Sequence, residues 1–360
     1  MAGILLQELS NTDIDWLITA GQQQQILAGT VLLQPQTESD TIHLLLDGIL
    51  TVSVPQQGAG CAGAAMSDHP IEKEITRFSE GEVVGVTSLF NVQSTGVFVR
   101  AVKDSIVLSI PHQRLTSKLQ QDSHFSTHFY RAIALILTER LQQMLTMPTQ
   151  LRAATDQPVK EALFVFGELR DSDVDWLVAA GQLQKLAPNT SLIQAGRPLD
   201  ALYIILDGLL SVSVYEGDVN PLTLCFECVN KIASSQKVID RLSRGEMSGT
   251  SSFLTMSPSP VSVRAIEESL VLAIPRSQLI MKLQQDMGFA SRFYRILALQ
   301  LLEAVQTAIE LLGCPQQPDP KPDQMDQDME YDDELNLESL HHVSQGAARF
   351  SWMLKRLGIT

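Results

Sequence analysis

Cysteine is scarce in this chain. The four, Cys61, Cys225, Cys228 and Cys314, are unevenly placed along 360 residues. That excludes a disulfide framework and fits a reducing compartment. Positive charge is also in deficit, with 26 Lys and Arg against 41 Asp and Glu and a formal net charge of −15. A field of that sign repels nucleic acid and anionic lipid. Long apolar runs are missing. The most apolar helical stretch, Ile296 to Leu312, carries Gln300, Glu303, Gln306 and Glu310, too many polar groups to span a bilayer. The opening MAGILLQELSNTD has no basic n-region and no long apolar h-region, so it does not read as a signal peptide. We expect a cytoplasmic protein that does not enter a membrane.

Catalytic signatures are missing as well. No P-loop or Rossmann fingerprint appears, and nothing pairs a nucleophile with a base. Cys225-Phe226-Glu227-Cys228 is a lone C-x-x-C, and no second pair completes a structural zinc site. His124 and His128 have zinc-like helical spacing, but the later copy of this segment has Gly288 and Arg292 there. We expect no enzyme, no metal and no cofactor.

What is present is a duplication. Asp15-Trp16-Leu17 recurs as Asp175-Trp176-Leu177, an offset of 160, and Leu44–Val54 recurs as Ile204–Val214. Beyond that the offset is 164. Gly81–Ala101, GEVVGVTSLFNVQSTGVFVRA, returns as Gly245–Ala265, GEMSGTSSFLTMSPSPVSVRA. RAVKDSIVLSIP returns as RAIEESLVLAIP, and KLQQD and FYR each occur twice.

Within each copy, Thr12-Asp13 or Ser172-Asp173 reads as a helix N-cap. Short Val/Ile/Leu/Thr-rich segments follow, bounded by Gly, Pro, Asp or Asn. Asp47-Gly48 and Asp207-Gly208, between apolar runs, read as hairpin turns. The pattern predicts a mainly β fold with α, two tandem antiparallel barrels or jelly rolls with flanking helices. Each copy closes in a helical run, about Gln113–Leu145 and Ser277–Leu312. In the first, Phe125, Phe129, Ile133, Ile136 and Arg140 lie near one face, with apolar residues on others, as in a sandwiched helix. The divisions expected are residues 1–146, a linker over 147–160, residues 161–313, an acidic tether over 314–335 and a tail helix over 336–360. The tether is too polar to fold. In the tail, Leu337, Leu340, Val343, Ala347, Phe350 and Leu357 fall at helical spacing, so an amphipathic helix is expected to dock on its own body or on a partner.

The glycine-led turn, short helical turn and V-R-A return strand resemble the phosphate-binding cassette of the cyclic-nucleotide-binding module of Crp/Fnr regulators, protein kinase A regulatory subunits and gated channels. In that module a glutamate grips the ribose 2′-OH and an arginine the phosphate, in a G-E-x-[AS]-L…R-[AST]-A frame. Here the frame sets Val86 and about Thr95 at those positions in the first copy, and Thr250 and about Ser259 in the second. Glu82 and Glu246 stand four residues too early. A buried charged pair needs both partners, so the cassettes are expected to serve as barrel corners. Arg100 and Arg264 read as surface or interface arginines. The resemblance also implies that the long helices can form a homodimer seam. The helix-turn-helix that Crp-type regulators append is absent, so direct reading of nucleic acid is not expected.

The whole chain resembles a cyanobacterial family of tandem, degenerate modules. The D-[IV]-D-W-L openings, the IP-x₃-L turns and the tail segment Gly346-Ala347-Ala348-Arg349-Phe350-Ser351-Trp352-Met353-Leu354 carry the likeness. That family includes receptors for cyclic di-GMP that act through a Crp-type transcription factor. The resemblance implies a non-enzymatic second-messenger receptor with cyclic di-GMP as regulatory ligand and a Crp-type regulator as partner. Cyclic di-GMP is commonly held by arginines, and domain junctions are common ligand sites. The candidates are Arg152 and Asp156 in the linker, and Arg170 and Asp173, which have R-x-x-D spacing. The alternatives are a ligandless interaction scaffold and a regulator retaining some cyclic AMP or cyclic GMP binding.

Overall fold

The computed structural model describes residues 3–34, 40–55, 72–90, 96–145, 163–215, 236–313 and 337–359. Two domains of one topology appear. The first opens with α1 (Ile4–Glu8) and α2 (Asn11–Ala20). Eight strands follow: β1 (Gln22–Ile26), β2 (Val31–Leu33), β3 (Thr41–Asp47), β4 (Leu50–Pro55), β5 (Glu72–Phe78), β6 (Val83–Val84), β7 (Phe98–Ala101) and β8 (Ser105–Pro111). A 3₁₀ turn spans Val86–Phe90. The domain closes with α3 (His112–Gln121) and α4 (Ser123–Leu145).

The second domain repeats this plan. A 3₁₀ helix (Leu163–Glu168) and α5 (Asp171–Ala180) lead into β9 (Gln182–Leu186), β10 (Ser191–Ile193), β11 (Ala201–Asp207), β12 (Leu210–Tyr215), β13 (Gln236–Leu242), β14 (Met247–Ser248), β15 (Ser262–Ala265) and β16 (Ser269–Pro275). Between β14 and β15 lies α6 (Thr250–Thr255). Then come α7 (Arg276–Gln285), α8 (Met287–Gly313) and the tail helix α9 (Leu337–Arg356).

Each domain folds its strands into two four-stranded antiparallel sheets, ordered β1-β8-β3-β6 with β2-β7-β4-β5, and β9-β16-β11-β14 with β10-β15-β12-β13. The period-2 rule shows in β3, where successive side chains leave opposite faces. Leu44 joins the cluster under the helices, while Leu45 joins the barrel interior with Leu50, Val52, Phe78 and Val99.

Three local expectations change. Asp47-Gly48 and Asp207-Gly208 are not hairpins. The strands they connect lie in different sheets, and the turns carry the chain across the barrel corner. Glycine is needed there: Gly48 has φ +122, and a Cβ on it would lie 2.1 Å from Ser105 Oγ. Second, each long helical run breaks in two. Asp122 leaves the helical region, and its Oδ1 accepts from the amides of His124 (3.1 Å) and Phe125 (3.0 Å), starting α4 afresh. Asp286 does the same for Phe289, at 2.9 Å. Third, the N-caps lie two residues earlier, at Ser10 and Arg170. Asp13 and Asp173, at the third position of the first turn, supply the carboxylates that accept from the Ser10 and Arg170 amides.

The helices α4 and α8 pack on each other within the chain. The face that the resemblance offers to a second copy is therefore met by the chain's own other half. Ser126 and Ser291 hydroxyls lie 2.7 Å apart, and the Thr127 hydroxyl donates to the Met287 carbonyl at 3.0 Å. Related ion pairs flank the seam, Glu8–Arg131 at 3.0 Å and Glu168–Arg295 at 2.8 Å. Each lies close to a tyrosine of the other domain. Burial pushes Tyr294 and Tyr130 up, with smaller contributions from Arg131 and Glu8 on the first and Arg295 and Glu168 on the second. The apolar core is continuous across this seam. Among the described residues, no helix is long and apolar enough to cross a membrane.

Candidate functional site

The first cassette is built on two glycines with positive φ, Gly81 (+83) and Gly85 (+88). A Cβ on Gly81 would stand 2.3 Å from the Gly3 Cα, so the turn can lie against the start of α1 only as glycine. Val86, at the position of the expected acid, is half-buried against the hydrophobic core. It offers no hydrogen bond. The Ser88 hydroxyl is turned back onto the Gly85 carbonyl at 2.8 Å. Thr95 lies outside the described residues.

Glu82 is also occupied. Its Oε1 accepts from Arg140 Nη2 at 2.9 Å and its Oε2 from the Ser79 amide at 2.6 Å. The Arg140 guanidinium lies over the Phe78 ring at 4.0 Å. Burial pulls Arg140 below its ordinary value, and Glu82 opposes that shift. The pair fastens the cassette turn to α4.

The second cassette keeps the backbone but not that pair. Gly245 and Gly249 again have positive φ, +88 and +91. Arg140 has its counterpart in Ala304. The Glu246 carboxylate accepts from the Ser243 amide at 2.5 Å. Burial pushes its pKa up to about 8, with Asp240 and Glu303 adding to the rise and the Ser243 bonds opposing it.

Two hydroxyls at the anchor end, those of Ser259 and Ser262, are engaged within the protein. Thr250 opens α6 behind its N-cap, Gly249. Ser259 is buried, and its hydroxyl donates to the Val261 carbonyl at 2.8 Å. Its backbone is stitched to Gly196 and Arg197 at 2.8 and 3.0 Å. Ser262 Oγ accepts from the Ala195 amide at 3.1 Å. A residue unflagged in the sequence closes the other end. Arg276 donates to the carbonyls of Leu199, Ser252 and Phe253 at 3.3, 3.1 and 3.2 Å and touches the Met256 sulfur. It caps the last turn of α6. His112 holds the same place in the first domain, where the cassette turn is 3₁₀.

Arg100 and Arg264 hold turns. Arg100 donates to the Gly29 carbonyl at 3.0 Å and pairs with Glu72 at 2.8 Å. Arg264 donates to the Asn189 carbonyl at 3.2 Å.

Of the inter-domain candidates, Arg152 and Asp156 lie outside the described residues, as do Cys225 and Cys228. Arg170 is exposed at the head of α5. Asp173 is buried, with 2% of its surface accessible, and both its oxygens bind Arg292, at 2.7 and 2.9 Å. Arg170 and Asp173 are thus joined through a helix cap, and the aspartate has no face left for a ligand. Arg292 was visible in the sequence only as the residue replacing His128. The His124 and His128 rings lie 4.6 Å apart, but among the described residues no three His, Cys, Asp or Glu side chains converge on a metal position.

The model of the cyclic nucleotide-binding domain matches residues 23–122 and 183–286, more than half of the chain. The chain belongs to the cyclic nucleotide-binding domain family, with two copies in tandem. It is similar to the cAMP-bound regulatory domain of Toxoplasma gondii PKA, at 14% identity over 81% of this chain and 90% of that one, TM-score 0.28. It is also similar to the guanosine-bound regulatory subunit of a cAMP-independent protein kinase A from Trypanosoma cruzi, at 14% identity over 80% and 85%, TM-score 0.28. The catabolite activator protein of Thermus thermophilus matches at 15% identity over 51% and 76%, TM-score 0.33. Likeness of that degree assigns no ligand. No curated protein matches the sequence.

Proposed function

We propose that the chain is a non-catalytic signalling receptor whose two cassettes have become fixed corners and whose ligand is met outside them. The observation that carries this reading is the cassette chemistry. Val86 and Thr250 stand where an acid would grip a ribose, and the nearby Glu82 is committed to Arg140. A cyclic mononucleotide would bring an anionic phosphate and a single ribose hydroxyl to anchor positions that carry no charged side chain for either.

The ligand proposed is cyclic di-GMP, bound beside the 147–160 linker. Arg152, Asp156 and the exposed Arg170 are the groups suggested to meet it. Arginine pairs with phosphate or a guanine edge and stacks on bases. The output proposed is a changed hold on a Crp-type transcription regulator, which requires the ligand to prefer one arrangement over another.

Calorimetry of the full chain with cyclic di-GMP, cyclic AMP and cyclic GMP tests this. Heat is expected with the dinucleotide alone, weakened in Arg152→Ala and in Arg170→Ala. Submicromolar binding of either mononucleotide would show a working cassette and overturn the reading. Silence with all three favours a ligandless scaffold, which the engagement of Asp173 by Arg292 already supports.

A further inference from the structure

The tail helix is seated on the second domain, and the duplication gives the first domain the same seat with no described helix of this chain in it. The occupied seat is formed by the 3₁₀ helix 163–168 and α5. Phe350 and Met353 are fully buried there, and the Phe350 ring meets Phe166 edge-on at 5.1 Å. Arg349 binds Asp171 at 3.0 Å and the Gly167 carbonyl at 2.8 Å. Arg356 binds Asp175 at 3.3 Å, and Trp352 Nε1 donates to the same carboxylate at 3.4 Å. Arg244, from the turn before the second cassette, faces the Phe350 ring at 5.6 Å.

Subtracting 160 from these positions, or 164 for the cassette turn, gives the face of the first domain. Leu6 stands for Phe166, Asn11 for Asp171, Asp15 for Asp175 and Glu80 for Arg244, and Ile18 lies one turn beyond Asp15 on the same helix. Where Phe166 is buried, Leu6 is 41% exposed, and Ile18 is 60% exposed. Asn11, Asp15 and Ile18 fall at i, i+4 and i+7, one face of α2. Two large apolar side chains are therefore open to water beside Asp15 and Glu80, neither of which has an ion pair among the described residues.

We propose that this α1–α2 face is a docking surface for one amphipathic, arginine-bearing helix of another protein, held as α9 is held on the second domain. Charge selects the occupant. The exchange of Arg244 for Glu80 makes the empty seat more acidic than the filled one, while Asn11 keeps an oxygen acceptor where Asp171 receives Arg349. An incoming helix needs an apolar anchor for Leu6 and Ile18 and an arginine one turn away for Asp15, the helix-in-groove mode. The chain's own α9 is already seated on the second domain, where Phe350 meets Phe166, so the occupant comes from elsewhere, and a free helix of the α9 sequence, apolar on one face and bearing Arg349 and Arg356, has the chemistry that the seat requires.

A synthetic peptide of residues 337–359 is the probe, titrated into the full chain by fluorescence anisotropy. One peptide is expected to bind per chain, with affinity reduced roughly tenfold or more by Leu6→Glu and by Asp15→Arg, both at exposed positions where folding is not at stake. Absence of binding overturns the proposal, as does binding indifferent to both substitutions, which would mean that the peptide displaces α9 from the second domain. Sedimentation of the chain alone supplies the last arm. Concentration-dependent dimers abolished by Leu6→Glu would make the occupant a second copy and overturn the foreign partner. Either outcome leaves the calorimetry with cyclic di-GMP unaffected.

Discussion

Removing Arg140 should cost the first domain about 3 kcal/mol, although the residue touches no ligand. Its side chain is 12% exposed and that of Glu82 24%, and they meet at 2.9 Å. A charge pair about 4 Å apart in an effective dielectric near 20 attracts by about 4 kcal/mol. Desolvation offsets much of that gain while both partners are present. Arg140→Met keeps an apolar stem against Phe78 but leaves Glu82 charged and half-satisfied by the Ser79 amide, so most of the desolvation cost falls on the variant. Glu82→Gln should cost less, because its amide oxygen can still accept from Ser79. The double variant should be more stable than the sum of the single losses implies, by about 1–2 kcal/mol. Urea unfolding measures this, with Trp176→Phe and Trp352→Phe in the background so that Trp16 reports on the first domain. Additive losses would show that the pair carries no coupling and that the cassette is not fastened to α4 through it.

Two further predictions come from the second domain. The folded chain holds a proton on Glu246 up to about pH 8, against an ordinary value of 4.5. The folded state thus binds more protons than the unfolded state between those values, and stability should fall as pH rises through that window. Glu246→Gln should flatten the dependence and add about 1–2 kcal/mol at pH 7.5. Equal midpoint shifts for both proteins between pH 5.5 and 8.5 would refute the assignment. Asp173→Ala leaves the half-buried Arg292 without its partner and removes the carboxylate that caps α5, so calorimetric unfolding should show a loss of about 3 kcal/mol. A fully stable variant would show Asp173 free to serve elsewhere.

The duplication and the cassette backbone were legible because both rest on local chemistry. Gly81, Gly85, Gly245 and Gly249 all have positive φ, a conformation that marks itself in sequence as glycine. The Asp-Gly turns illustrate the limit of that logic. Positive φ at Gly48 and Gly208 was readable, but which strands pair afterwards depends on which faces are apolar, and these turns join different sheets. The helix breaks at Asp122 and Asp286 were hidden because KLQQD also continues a helical pattern, and only the side-chain acceptance from the following amides shows the new start. Arg140, Arg276 and Arg292 were not legible as clamps. Their partners lie 58, 23 to 77, and 119 residues away, and no spacing rule reaches across a barrel.

Fusing two modules in one chain removes a constraint that a homodimer imposes. In a symmetric pair every substitution appears twice, at both related positions. Here the halves have diverged at the places where each barrel is tied to its helices: Arg140 against Ala304, His112 against Arg276, His128 against Arg292, Leu6 against Phe166. The first cassette is clamped to α4 by an ion pair, while the second is capped from α7 by Arg276 and leaves Glu246 to carry its proton. Helix α4 of the first domain also touches α6 of the second. A displacement of α6 would therefore press on the helix that Arg140 ties to the first cassette. In return, α8 of the second domain meets β5 of the first, where Lys73 Nζ donates to the Leu312 carbonyl at 2.6 Å. Each barrel thus touches the other domain's long helix by a different element, α6 on α4 and β5 on α8, so the two contacts are free to diverge as a symmetric pair could not.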